Sequence, residues 1–138
     1  MVREKGITGK LREEFGFLRN ENILAVLLFG SLAKEEIGPR DIDICVIAPN
    51  TNAKQIMKKI WQKVDVAAKK YDVYCFEELP LYIRWEIIDN HKIIWAKNEG
   101  ELYEYFYYFR KLYEDQKHRM QISKEDILKM LHTSKSYS

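Results

Sequence analysis

The sequence predicts a single α/β (α+β) domain over residues 1–138, with a mixed sheet of about four strands flanked by helices and a C-terminal helical extension. Short β-rich apolar runs alternate with segments of helical period. No Pro/Gly/Ser-rich linker, low-complexity tract or internal repeat divides the chain. At 138 residues and 46% hydrophobic content, one core closes without a disulfide framework or structural metal. The core of the domain is expected at about 20–97 and the extension at 98–138.

Residues 8–20 read as an amphipathic helix, with Thr8 as N-cap and Leu11, Phe15 and Leu18 at i, i+4, i+7. ILAVLLFG, residues 23–30, is apolar on both faces, as a central covered strand should be. DIDICVIA, residues 41–48, alternates and then turns apolar, a second strand stopped by Pro49-Asn50. Residues 52–70 form the next helix, with Ile56, Met57, Ile60, Trp61, Val64 and Ala68 on its packed stripe. YDVYCF, residues 71–76, is a third strand. Pro80 suits the first turn of a helix bearing Leu81, Trp85 and Ile88. HKIIWA, residues 91–96, is a fourth strand. A long helix at about 101–119 and a helical tail at 123–131 complete the chain.

Composition excludes several classes. The longest unbroken apolar run has seven residues, Ile23–Phe29, against the roughly 20 that cross a bilayer. The charged N-terminus has no signal-peptide apolar region, so a cytoplasmic protein without a membrane partner is expected. A net charge of +2 leaves no electrostatic footprint for nucleic acid. Cys45 and Cys75 lie 30 apart with no CxxC or Cys/His pairing, and read as small buried residues. His91, His118 and His132 show no ligand spacing.

Chemistry concentrates in LLFGSLAKEEIGPRDIDICVI, residues 27–47. Gly30 lets the backbone turn sharply off a strand and approach a ligand, and Ser31 with the following amides can donate hydrogen bonds to phosphate oxygens. Asp41 and Asp43, at i, i+2 on a strand, project from one face about 7 Å apart at the backbone. Such hard oxygen ligands suit Mg²⁺, whose remaining shell comes from water and substrate phosphate. Lys34 and Arg40 are further phosphate contacts by charge and position. Asp72 shares its strand face with Tyr74 and Phe76, an odd place for a carboxylate without a function.

The combination of Gly30-Ser31 at the end of a buried strand, a short link and Asp41-x-Asp43 leading the next strand resembles the signature of the nucleotidyltransferase (DNA polymerase β-like) superfamily. Within it the chain looks like the minimal nucleotidyltransferase (MNT) domains that often pair with HEPN-domain proteins, over roughly residues 20–97. Glu35 stands where the family pattern has Gly, Arg40 where Ser often precedes the first Asp, and the intervening spacing is commonly one residue longer. The resemblance implies a nucleotidyltransferase-type sheet with Asp72 as a third carboxylate, Glu77 and Glu78 being the fallback. It further implies two Mg²⁺ ions held by Asp41, Asp43 and Asp72, and a nucleoside triphosphate gripped by Gly30 and Ser31.

The implied reaction moves a nucleoside monophosphate, AMP from ATP, to a hydroxyl acceptor. In MNT and HEPN pairs that acceptor is a tyrosine of the HEPN toxin, making the chain an antitoxin. Two alternatives stand beside it: a non-catalytic antitoxin acting by contact, and a small-molecule enzyme like the aminoglycoside nucleotidyltransferases. A template-directed polymerase is not expected, for want of domains and charge to hold a template. In helix 101–119, Leu102, Tyr105, Phe106, Phe109, Leu112 and Tyr113 make a core stripe, while Tyr103, Tyr107 and Tyr108 add outward aromatic surface for a homodimer or partner.

Overall fold

The structure, a computed structural model, describes residues 2–30, 41–116, 128, 129 and 131. It is a mixed α/β fold built on four strands: β1 (Ala25–Phe29), β2 (Ile42–Ile47), β3 (Tyr71–Cys75) and β4 (His91–Ala96). The sheet order is β3-β2-β1-β4. The central strand β1 runs antiparallel to both neighbours, whereas β2 and β3 are parallel, joined through helices as parallel strands require. The helices are α1 (Val2–Glu14), α2 (Ala53–Lys63), α3 (Val66–Lys69), α4 (Leu81–Asp89) and α5 (Glu99–Gln116). None of the described helices is long and apolar enough to cross a membrane.

Every side chain of β1 is buried, because both faces of the sheet are covered. On one face Val26, Leu28, Ile44 and Val46 pack against Leu11, Phe15 and Leu18 near the N-terminus and Ile56 and Ile60 of α2. On the other, Ala25, Leu27, Phe29, Cys45 and Ile47 meet Ile83, Ile87 and Ile88 of α4 and Leu102, Phe106 and Phe109 of α5. Helix α4 is apolar around most of its circumference because it lies between the sheet and α5. Its Trp85 Nε1 donates to the Phe109 carbonyl at 2.9 Å, tying the two helices together.

Three local expectations are corrected. The first helix starts at Val2, so Thr8 lies inside it rather than capping it, and it stops at Glu14. A 3₁₀ turn, Gly16–Asn20, takes over because the Phe15 carbonyl accepts from Trp95 Nε1 and Leu18 N, both at 3.2 Å, instead of propagating an α-helical ladder. The helix expected over 52–70 breaks at Val64, where the backbone is extended. Asp65 then caps a new turn, its Oδ1 accepting from Ala68 N at 3.2 Å, which is how Asp competes with a helix interior. Within α2 the buried residues are Ile56 and Ile60, and Trp61 is 62% exposed rather than part of the packed stripe. The final helix spans Glu99–Gln116, and most of the tail expected at 123–131 lies outside the described residues, although Leu131 is buried against the α4–α5 face.

Glu14 fastens α1 to the far side of β3. Its carboxylate accepts from Lys69 Nζ and Tyr71 OH, two groups on either side of the turn at Lys70. Burial alone would raise the pKa of Glu14, but these hydrogen bonds and the nearby Lys69 and Lys10 charges bring it below its ordinary value. A depressed carboxylate contributes stability above its unfolded pKa, lost as pH falls through the folded one. Thermal stability measured from pH 6 downward should therefore fall below about pH 4.5 in the wild type, with a shallower fall in Glu14→Gln.

Helix α5 should behave as core on one side and surface on the other. Phe106→Ala is expected to cost about 3–5 kcal/mol by denaturant unfolding. Tyr107→Ala, at a residue 59% exposed, should stay within about 0.5 kcal/mol of the wild type.

Candidate active site

The end of β1 and the start of β2 and β3 meet at one edge of the sheet. In the registers, Phe29 faces Asp43 across the β1–β2 pair, and Asp43 faces Asp72 across the β2–β3 pair. Residues directly opposite in neighbouring strands share a face, so Asp72, Asp43 and Phe29 form one row. Two carboxylates stand side by side in it, one strand spacing apart, roughly 4.8 Å. Asp43 is only 7% exposed, while Asp72 is half-buried.

Asp41 occupies a different position from the one its spacing suggests. Strand β2 begins at Ile42, so Asp41 sits in the bend just ahead of it and is exposed. Ile42, Ile44 and Val46 point into the opposite core, as expected, which leaves Asp43 on the α4–α5 face of the sheet. Ser31, Lys34 and Arg40, together with Glu35, lie outside the described residues.

Gly30 turns the chain off β1 with φ of +79°, a backbone state that favours glycine. A Cβ at this position would lie 3.3 Å from Asp43 Cγ and collide with its Oδ2. Backbone and carboxylate therefore approach each other through the space a side chain would fill. Glycine is required here for both reasons, the turn and the close approach.

Tyr74 was not singled out by sequence pattern as a site residue. It follows Asp72 by two on β3, and its ring packs edge-on against Phe29 at 5.8 Å between centroids. Burial first, and then the Asp43 and Asp41 charges, push its phenol well above the ordinary tyrosine value. The hydroxyl stays protonated at physiological pH.

His91 extends the row, facing Phe29 across the β1–β4 pair. Its Nδ1 is taken up at the end of α4 by the carbonyls of Ile87 at 2.8 Å and Ile88 at 3.1 Å, a helix-terminal role. Glu77, the fallback acid, is likewise engaged elsewhere. Its Oε1 accepts from Ala48 N at 3.1 Å and its Oε2 from Tyr105 OH at 2.8 Å, beyond the other end of β2 and β3.

Among the described residues no group of three or more His, Cys, Asp or Glu side chains gathers as a metal site. The Asp43–Asp72 pair nevertheless fits a hard divalent cation. Mg²⁺ is usually held by one or two carboxylates, with water and substrate phosphate completing its shell. Adjacent carboxylates, one of them buried, repel each other and are favoured by a cation between them.

Comparison with known proteins places this geometry. The family described as polymerase beta, nucleotidyltransferase matches residues 16–100. A candidate protein adenylyltransferase of Methanocaldococcus jannaschii is 45% identical over 100 residues, covering 71% of this chain and 75% of that protein. Among solved structures, a toxin–antitoxin with AMP-PNP superposes with a TM-score of 0.55 at 20% identity, over 83% of this chain and 93% of the other. A tri-AMPylated Shewanella oneidensis HEPN toxin in complex with MNT antitoxin gives 0.51 at 18% identity, over 85% and 92%. At these identities the structural matches show a shared fold. The family match spans more than half of the chain and contains the Gly30 turn and the Asp43–Asp72 row, so the chain belongs to the polymerase β-type nucleotidyltransferases.

Proposed function

We propose that this nucleotidyltransferase transfers AMP from ATP to a protein hydroxyl, a tyrosine of a HEPN-domain partner, and so acts as an antitoxin. The observation that carries the reading is the Asp72–Asp43 row beside the Gly30 turn. It places paired hard ligands next to a backbone that a phosphate chain can approach. The likeness to a candidate protein adenylyltransferase, and to toxin–antitoxin structures that include one with AMP-PNP and one with an AMPylated HEPN toxin, supports the nucleotide and the acceptor class.

Asp41, Asp43 and Asp72 would hold two Mg²⁺ ions. When bound, these supply charge neutralisation to the attacking and leaving oxygens of an in-line displacement. The roles of the chain's own groups follow from their places. Gly30 and Ser31 would hold the departing phosphates through backbone and hydroxyl donors, with Lys34 and Arg40 adding positive charge. Asp72, on the edge strand β3, would complete the metal on the acceptor side. Tyr74, protonated and beside the acids, can donate a hydrogen bond to a negatively charged oxygen.

The outward face of α5 is the surface we assign to protein contact, with a HEPN partner or a second copy. Tyr103, Tyr107 and Tyr108 are 51%, 59% and 62% exposed there. This patch also supports the second reading, an antitoxin that neutralises by contact, because it needs no catalytic acid.

Two measurements test the site. Calorimetric titration of ATP with Mg²⁺ should show binding to the wild type that is lost in Asp43→Asn, and incubation with a HEPN partner should add adenylyl mass to a tyrosine only with the wild type. Asp43→Asn that still neutralises the partner would establish the contact reading instead. Gly30→Ala should lose at least about 1–2 kcal/mol of stability from its left-handed backbone alone. Its nucleotide affinity, measured in the same titration, should fall because the new Cβ displaces the Asp43 carboxylate.

A further inference from the structure

Among the described residues, the large apolar side chains left exposed are Trp61 of α2 and Tyr103, Tyr107 and Tyr108 of α5. Aromatic rings gathered in water are characteristic of surfaces that meet protein. The two groups lie on opposite sides of the sheet. Helix α2 packs Ile56 and Ile60 against the Val26 and Leu28 face, and α5 packs Leu102, Phe106 and Phe109 against the Leu27 and Phe29 face. The charge around the rings also differs. Helix α2 carries four lysines and no acid, whereas α5 carries five carboxylates and two cations.

Charges and rings follow matching stripes. On α2, Lys54, Lys58 and Trp61 stand at i, i+4, i+7 and are exposed, and Lys54 and Trp61 line the same cavity beside β3. On α5, Glu101, Glu104 and Tyr108 stand at i, i+3, i+7 and are exposed as well. Each stripe therefore runs about 10 Å along its helix. Two such helices laid side by side in the same direction bring Lys54 to Glu101, Lys58 to Glu104 and the Trp61 ring to Tyr108. None of these four charged residues forms an ion pair with another described residue, whereas Lys59, at the flank of the α2 stripe, is held by Glu21.

We propose that this chain associates with copies of itself, the Lys54–Lys58–Trp61 stripe of one copy docking on the Glu101–Glu104–Tyr108 stripe of the next. The inference rests on the assignment of the outward face of α5 to protein contact. Because the two stripes differ and lie on opposite sides of the sheet, the contact is head-to-tail. It leaves one α2 and one α5 free at the ends and does not close into a two-fold dimer. Surface lysine–carboxylate pairs are individually weak and screened by salt, so the association is reversible and salt-sensitive. A protein partner that takes the α5 face removes the acidic stripe, and so shortens the oligomer as it binds.

Sedimentation velocity of the full chain at rising concentration should show a series of species beyond the dimer, receding as salt is raised. Two paired charge reversals, Lys54→Glu with Lys58→Glu and Glu101→Lys with Glu104→Lys, should each give a monomer with the circular dichroism of the wild type. An equimolar mixture of the two variants should associate again, because opposite stripes meet between them, a recovery that misfolded variants cannot give. A wild type that stays monomeric or stops at a dimer would overturn the inference, as would variants that associate alone or a mixture that does not associate. Monomers whose lysine stripe instead retains a short single-stranded RNA would overturn it too. Monomeric wild type that captures a HEPN partner, with capture weakened in Tyr107→Ala, would end the self-association and leave the contact surface standing; partner binding indifferent to the α5 tyrosines would remove both.

Discussion

Among the described residues, Asp43 is the one charged side chain the fold buries, and much of the architecture is arranged around it. A carboxylate removed from water costs several kcal/mol unless other groups or ions offset it. Here the cost is deepened by Asp72, which faces it on the neighbouring strand. An apolar residue at position 43 would continue the row of Cys45 and Ile47 on that face of β2 and pack more favourably. Paired negative charge at the end of an otherwise apolar face is the arrangement that the cation and triphosphate of the proposed function would offset.

The remaining elements keep that row in register. A slip of one residue in β1 would exchange Val26 and Leu28 for Leu27 and Phe29 between two cores of different shape, so close packing holds the register. Phe29 therefore stays opposite Asp43, and the Gly30 turn stays against its carboxylate. Parallel pairing of β2 with β3 sets Asp72 on the other side. Beyond the far end of the same strand pair, Glu77 links the backbone after β2 to Tyr105 of α5. Arg84 secures that corner, donating to the Glu77 carbonyl at 2.6 Å and the Leu79 carbonyl at 2.8 Å while lying over the Phe76 and Phe109 rings.

The strands were legible because each is a short apolar or alternating run with a clear stop, and β4 begins and ends where its residues indicate. The Asp43–Asp72 pairing was legible only in part. Alternation assigns each acid to a face of its own strand, but pairing two strands requires the register, which no local pattern contains. Helix interruptions were hidden for a different reason. Leu11, Phe15 and Leu18 keep helical spacing through a change to 3₁₀ geometry, and Asp65 caps a new turn inside a segment whose apolar residues continue the old period. Trp61 is a separate case: helical period put it on the packed stripe, yet it is exposed within α2, whose buried residues are Ile56 and Ile60. Tyr74 gave no signal because an aromatic residue in a strand is ordinary, and only the folded neighbourhood brings it within the field of Asp41 and Asp43.

Helix α5 covers the face of the sheet that bears the acids. Leu102, Phe106 and Phe109 complete the core beneath Phe29 and Cys45, so the face of the sheet that bears the acids is dry only while this helix is in place. Its opposite side carries three exposed tyrosines. One helix thus carries exposed tyrosines on one side and, on the other, packs under the sheet and bonds through Tyr105 to Glu77 at the end of the β2–β3 pair away from the acids. A partner that grips the tyrosines would hold the same helix that fixes the far end of the β2–β3 pair.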